Sequence, residues 1–159
     1  MTKTYRNGAL GTLMDEYERA TIELQHVLLT IDSETYKQII DVHTKDKDCI
    51  SIQTIMNHVV RSGFGYSNLI RKEFGETYIK RKTQYDVDTP EKAVNELNLV
   101  LQYADETLCN KWHLSSKEIS KHIIHTAWGQ SFDIDQLMEH AIVHILRHRR
   151  QIEKFLSMK

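Results

Sequence analysis

Nine histidines stand in this chain of 159 residues, and three of them, His140, His144 and His148, follow one another at intervals of four. On an α-helix each step of four turns about 400°, a net advance of about 40°, and rises about 6 Å. Adjacent members of the series can therefore share one metal ion, while the outer pair, His140 and His148, stand too far apart. The apolar neighbours choose between the two pairs. With His144 set at zero, Leu137 and Phe155 lie at about +20°, Ala141 at about +60° and Ile145 at about +100°. His148 falls at about +40°, inside this arc, and His140 at about −40°, on its outer flank. The pattern makes His144 and His148 the inward pair and His140 a rim residue. Gln151, at about −20°, borders the same seam.

Two imidazoles at this spacing give a metal two nitrogens from one rigid rod. A third must come from elsewhere, and His58 is the best placed. It lies about 10 Å into its own helix, while His148 lies about 13 Å before the end of the last one. Antiparallel packing of those two helices brings them level. Glu139 precedes His140, which is the wrong position for the HExxH of zinc proteases. The chain has no Ser-His-Asp pattern, P-loop or Rossmann glycine signature. His26, His43, His113, His122 and His125 read as surface or satisfied core residues.

Four amphipathic stretches must position these histidines. The first covers residues 9–31, with a stripe of Leu10, Leu13, Met14, Tyr17, Ala20, Leu24, Val27, Leu28 and Ile31. Ser33 then offers a cap for a short helix over 34–42. The second covers 51–74, starts at the N-cap Ser51 and stops at Gly75. Gly63 and Gly65 lie inside it, which calls for close helix packing or a kink. The third begins at Thr89-Pro90-Glu91, a cap, a first-turn proline and a first-turn acid, and runs to about residue 112. The fourth covers 133–157, with a looser capping box from Asp133 to Gln136. Residues 121–132 read as an ordered loop, and nothing alternates at period two long enough to suggest a sheet.

Length and composition fit one domain over residues 1–159. Pro90 is the single proline, so long helices are permitted. A net charge of −1 argues against a dedicated nucleic-acid binder. Arg147, Arg149 and Arg150 cluster near the C-terminus, and Lys80, Arg81 and Lys82 in a loop; both clusters read as solvated basic patches. Cys49 and Cys109 have neither CxxC spacing nor a nucleophile motif. With no signal peptide and no run of 18 apolar residues, the expected location is the cytoplasm and no membrane is expected as a partner.

Two motifs carry a resemblance. The run from Ser51 to His58, Ser-Ile-Gln-Thr-Ile-Met-Asn-His, resembles the S-x-x-x-I/L-x-x-H start of helix two in the DinB-like, or YfiT-like, superfamily. The run from His140 to Ile152 resembles that superfamily's last helix, H-x-x-x-H-x-x-x-H-R-G-Q-I/L, with Arg150 where glycine is usual. The Trp128-Gly129 loop is similar as well. The resemblance implies an all-α four-helix bundle of up-down-down-up order. It implies three metal ligands, here His58, His144 and His148. Its known members include thiol-dependent transferases and isomerases. The 13 residues 76–88 are long enough for the return connection this order needs, since their extended reach is about 40 Å.

The expected function is that of a divalent-metal-dependent enzyme, zinc first, with nickel, iron or manganese as alternatives. Three neutral imidazoles leave a position where a low-molecular-weight thiol becomes a nucleophile toward an electrophilic small-molecule substrate. His140 and Gln151 orient ligands from the rim. A metal-dependent hydrolase and a non-catalytic, stress-associated metal-binding bundle are the alternatives, and a homodimer is expected. DNA binding through Arg147, Arg149 and Arg150 ranks last.

Overall fold

A computed structural model describes residues 4–158. Residues 1–3 and 159, which the one-domain expectation also covers, lie outside the described residues. The chain is mostly helical. Its helices are α1 (Gly8–Leu28), α2 (Ser33–Lys37), α3 (Ile52–Glu73), α4 (Pro90–Leu108), α5 (Ser116–Ile119) and α6 (Ile134–Ser157). A 3-10 turn spans Lys47–Cys49, and a small hairpin joins β1 (Ile124–His125) to β2 (Ser131–Phe132).

The start signals work as their chemistry requires. Ser51 Oγ accepts from Thr54 N at 3.2 Å while Ser51 N donates to Thr54 Oγ1 at 3.1 Å. Asp133 and Gln136 exchange the same pair of bonds at 2.9 and 3.0 Å. Thr89 caps α4 through Lys92 N. Each cap satisfies backbone donors that a helix start leaves without partners. At the other end of α3, Gly75 adopts φ +66°, a left-handed conformation that suits glycine.

Three local expectations need correction. Asp32, not Ser33, caps the short helix, accepting from Thr35 N at 2.8 Å. That helix stops at Lys37, because the backbone N–H groups of Ile40 and Asp41 turn to Ile50 O instead of the helix ladder. The loop 121–132 holds an antiparallel ladder pairing Ile124 with Phe132 and His125 with Ser131. Strands of two residues are too short to leave a period-two signature.

The long helices pack in a closed cycle, α1 against α4 and α6, and α3 against α4 and α6. Side-chain pairs give their directions. Arg6, just before α1, bonds Asp105 near the end of α4, and Gln25 near the end of α1 bonds Asn98 in the first half of α4. Those two helices run antiparallel. Gln53 meets Asp88 at the starts of α3 and α4, and Arg71 meets Thr107 at their ends, so this pair is parallel. His58 lies by His148 and Tyr66 by His140, which makes α3 and α6 antiparallel. The connection from α3 to α4 is pinned along α3. Asn68 donates to Ile79 O at 2.8 Å, and about three turns nearer the helix start Asn57 Oδ1 accepts from Tyr85 N at 2.9 Å.

The core lies between the four stripes. Leu10, Leu24, Ile55, Met56, Leu97, Leu108, Leu137 and Ile152 are all buried. Gly63 and Gly65 have different reasons. A Cβ on Gly63 would stand 2.5 Å from Val100 Cγ1 and 3.1 Å from the Tyr17 hydroxyl, so this glycine sets the approach of α3 to α4. A Cβ on Gly65 would meet only the Arg81 side chain, at 3.3 Å. Gly63→Val therefore lowers unfolding free energy by at least about 2 kcal/mol through overpacking. Gly65→Ala raises it by about 0.5–1 kcal/mol through helix propensity, since the Arg81 tip can yield. Urea melts of the two variants check both signs.

Candidate metal centre

The capping box at Ser51 fixes where α3 begins, and so places His58 in its second turn facing α6. On α6 the spacing of four puts His144 and His148 one above the other. The two helices bring the three rings together. His58 Nε2 stands 2.8 Å from His144 Nε2. Ring centroids are 4.8 Å apart for His58 and His144, 5.0 Å for His58 and His148, and 4.5 Å for His144 and His148. One nitrogen from each ring lies within 4.8 Å of the others, close enough to hold a metal ion. Two nitrogens on a tetrahedral zinc, each at 2.0–2.1 Å, stand about 3.3 Å apart. The observed spacings bracket that value, so small ring movements suffice.

Burial and neighbours keep the rings in the ligating state. His148 is buried, and His58 and His144 are half-buried. Loss of hydration, followed by the charges of His148 and His58, pushes His144 down to about 2. Burial and then His58 push His148 down to about 4. Burial also lowers His58, although the nearby Asp48 carboxylate pulls the other way. All three rings are thus neutral at pH 7, as metal ligation requires.

Two side chains stand behind the rings. His148 Nδ1 lies 3.0 Å from Gln151 Oε1. If that amide oxygen accepts, Nδ1 carries the proton and the lone pair at Nε2 is left for the shared point. His58 Nδ1 is buried without a hydrogen-bond partner, and Asp48 Oδ2 stands 3.4 Å away. Arg61 holds the same Asp48 oxygen in an ion pair. A carboxylate behind a ligating histidine fixes its orientation and raises its basicity. Asp48→Asn accordingly weakens zinc binding by roughly 10–100-fold in a chelator competition, with no loss of helix content.

His140 stands apart from the three. Its ring is 6.4 Å from that of His144 and sits among Phe132 at 5.2 Å, Tyr66 at 5.5 Å and Trp128 at 6.1 Å. Trp128, at the tip of the hairpin, lies nearly parallel to it. The other histidines are scattered: His26, His43, His113 and His125 are exposed, and His122 pairs with Glu73 beside Phe74. Cys49 and Cys109 are free thiols. Cys49 Sγ lies 3.9 Å from Gln151 Oε1, and burial pushes its thiol pKa up.

The three histidines line a broad open groove of about 1350 Å³ between α3, α6, the 76–89 connection and the hairpin tip. Arg150 lies on its lining. Sequence reading missed Asp48. It sits on an irregular turn ten residues before His58, where no helical period could link the two. No helix among the described residues is long and apolar enough to cross a membrane. No family model matches this chain, and no match was found among curated proteins or solved structures.

Proposed function

We propose that the chain is a single-domain four-helix bundle of up-down-down-up order, in the DinB-like superfamily, and a metal-dependent enzyme that moves a low-molecular-weight thiol onto an electrophilic substrate. One observation carries this reading: three neutral imidazoles from two helices converge on the floor of an open groove. The bundle order is supported by the antiparallel pairs α1–α4 and α3–α6 and by the parallel pair α3–α4. The 76–88 connection, running back along α3, supplies the return that a parallel pair needs.

His58, His144 and His148 would hold the ion, and zinc is the first choice for three imidazoles with a position left open. A divalent ion held there would lower the pKa of a thiol and favour the thiolate. The rest falls to the chain's own groups. Gln151 holds the His148 ring in orientation, and the Asp48 carboxylate stands behind His58, 3.4 Å from its Nδ1. His140, Tyr66 and Trp128 form a wall of rings on one side of the groove. Hydrolysis would have to draw its proton acceptor from Asp46, the single carboxylate on the groove lining among the described residues, or from Asp48, which Arg61 already holds. That ranks thiol transfer ahead of it. Exposed Ile22, Val143 and Leu146 on the packed helices α1 and α6 support a homodimer.

Elemental analysis of the purified protein, with anomalous scattering at metal absorption edges, tests the centre. The expected result is close to one ion per chain at the three histidines. A panel of thiols and electrophiles then tests the reaction. Full metal with no turnover would leave a non-catalytic metal-binding protein, and thiol-independent ester cleavage would point to a hydrolase.

A further inference from the structure

The whole chain is balanced in charge, with 21 Lys and Arg against 22 Asp and Glu. The groove is not. Arg61, Lys72, Arg81, Lys82, Arg147, Arg150 and Lys154 line it, against the one carboxylate of Asp46. Arg61 is already committed to Asp48. None of the other six makes an ion pair among the described residues. Two members of each basic cluster that looks like a separate solvated patch in the sequence, Arg147 and Arg150 on α6 and Arg81 and Lys82 on the connection after α3, therefore share one concavity, while Arg149 pairs with Glu23 instead.

The placement is specific. Asn57 holds the connection down, donating to Thr83 O at 3.2 Å and to Gln84 Oε1 at 2.9 Å, next to His58. Gly65 lies seven residues beyond His58, on the same face of α3. With no side chain there, the Arg81 guanidinium lies against the helix. Arg147 is one turn from His144, and its charge is felt at His140, His144, His148 and Tyr66. Unpaired cations that surround a concave site raise the local concentration of anions and give carboxylate or phosphate oxygens charge-assisted bonds.

We propose that the groove binds a small organic polyanion, carrying carboxylate or phosphate groups, with Arg147 and Arg150 on one wall and Arg81 and Lys82 on the other. This deepens the metal-centre reading by naming the charge of the substrate, and rests on that reading only in calling the anion a substrate. A nucleic acid is the less suitable occupant. The positive charge is confined to a concavity in a chain of net charge −1, whereas a nucleic-acid footprint needs a basic excess along a face.

Calorimetry with pyrophosphate and with benzene-1,3,5-tricarboxylate tests this, using the full chain as purified and again after dialysis against a chelator. At least one probe binds in both states, and raising NaCl from about 50 to about 200 mM weakens it severalfold. Arg147→Gln combined with Arg150→Gln weakens binding at least tenfold, while Lys117→Gln combined with Lys121→Gln, outside the groove, does not. Pyrophosphate binding alone identifies a phosphate ligand, and tricarboxylate binding alone a carboxylate ligand. Neither probe binding better than glycerol overturns the proposal. So does binding that vanishes on chelation yet ignores the arginine pair, because metal ligation would then hold the anion. A 12-nucleotide single strand that displaces the probe and binds at least tenfold tighter also overturns it. Because the chelated state is measured separately, loss of the anion site and loss of the metal centre give different results.

Discussion

His58→Ala lowers zinc affinity by roughly 10²–10³-fold and leaves the helices intact. Structural zinc sites in small peptides bind with about 10–16 kcal/mol from four ligands, so one ligand accounts for about 2.5–4 kcal/mol, or roughly 10²–10³-fold. His58 is the ligand that matters most for geometry. His144 and His148 come from one helix and stay adjacent whatever α3 does, whereas His58 closes the site across the groove. The ring is half-buried at the groove wall and its Nδ1 has no hydrogen-bond partner, so removal breaks no buried network. Circular dichroism should therefore match the parent. His140→Ala is the paired control. Its ring is 6.4 Å from that of His144 and packs among Tyr66, Phe132 and Trp128, so affinity changes no more than a few-fold. Zinc held within tenfold of the parent by His58→Ala, or lost equally in His140→Ala, would remove the basis for the ligand assignment.

How much of this was legible in the sequence follows from the range of the interactions. Helical period is local. It selected Leu10, Met14, Tyr17, Leu24 and Leu28 on α1 and Leu137, Ala141, Ile145 and Ile152 on α6, and all of them are buried. It also ranked His148 above His140, and His148 is 8% exposed beside the triad while His140 sits in the aromatic cluster. The caps at Ser51, Thr89 and Asp133 are local as well. Asp48 is different. It depends on a 3-10 turn carrying a carboxylate toward α3, and an irregular turn has no period to read. The hairpin is invisible for a related reason, since its two-residue strands depend on Gly129 at φ +86° and on bonds between Thr126 and Gln130. Gly63 posed a question that only the neighbour could answer, and Val100 on α4 is that neighbour. The meeting of two basic clusters across one groove likewise needs the tertiary path of the 76–88 connection, which Asn57 and Asn68 fix from α3.

Zinc affinity of the folded protein falls by less than about tenfold from pH 7 to pH 5.5. Three ordinary imidazoles with a pKa near 6.5 would lose roughly 10²–10³-fold over that range, because each must shed a proton before it can ligate. Here burial has already shed those protons. Burial holds His144 down at about 2 and His148 at about 4, and His58 is lowered too. The same depression carries a stability cost of opposite sign. Above a pH of about 6.5 the folded and unfolded chains both hold neutral rings, and the histidines add no pH dependence. Below it the unfolded chain takes up protons that the folded chain refuses, so the unfolded state gains. The stability of the metal-free protein therefore declines as pH falls from about 6.5 through the folded values of these rings. Zinc, which binds the folded form, adds a stabilisation at each pH that shrinks only as far as its affinity does. Melting curves with and without zinc should accordingly stay separated at pH 5.5 by a gap only a little narrower than at pH 7, while both shift down together. A steep fall in zinc affinity over this range, with an unchanged metal-free melting temperature, would mean that the three rings titrate like solvent-exposed imidazoles and that the neutral, preset triad described above is absent.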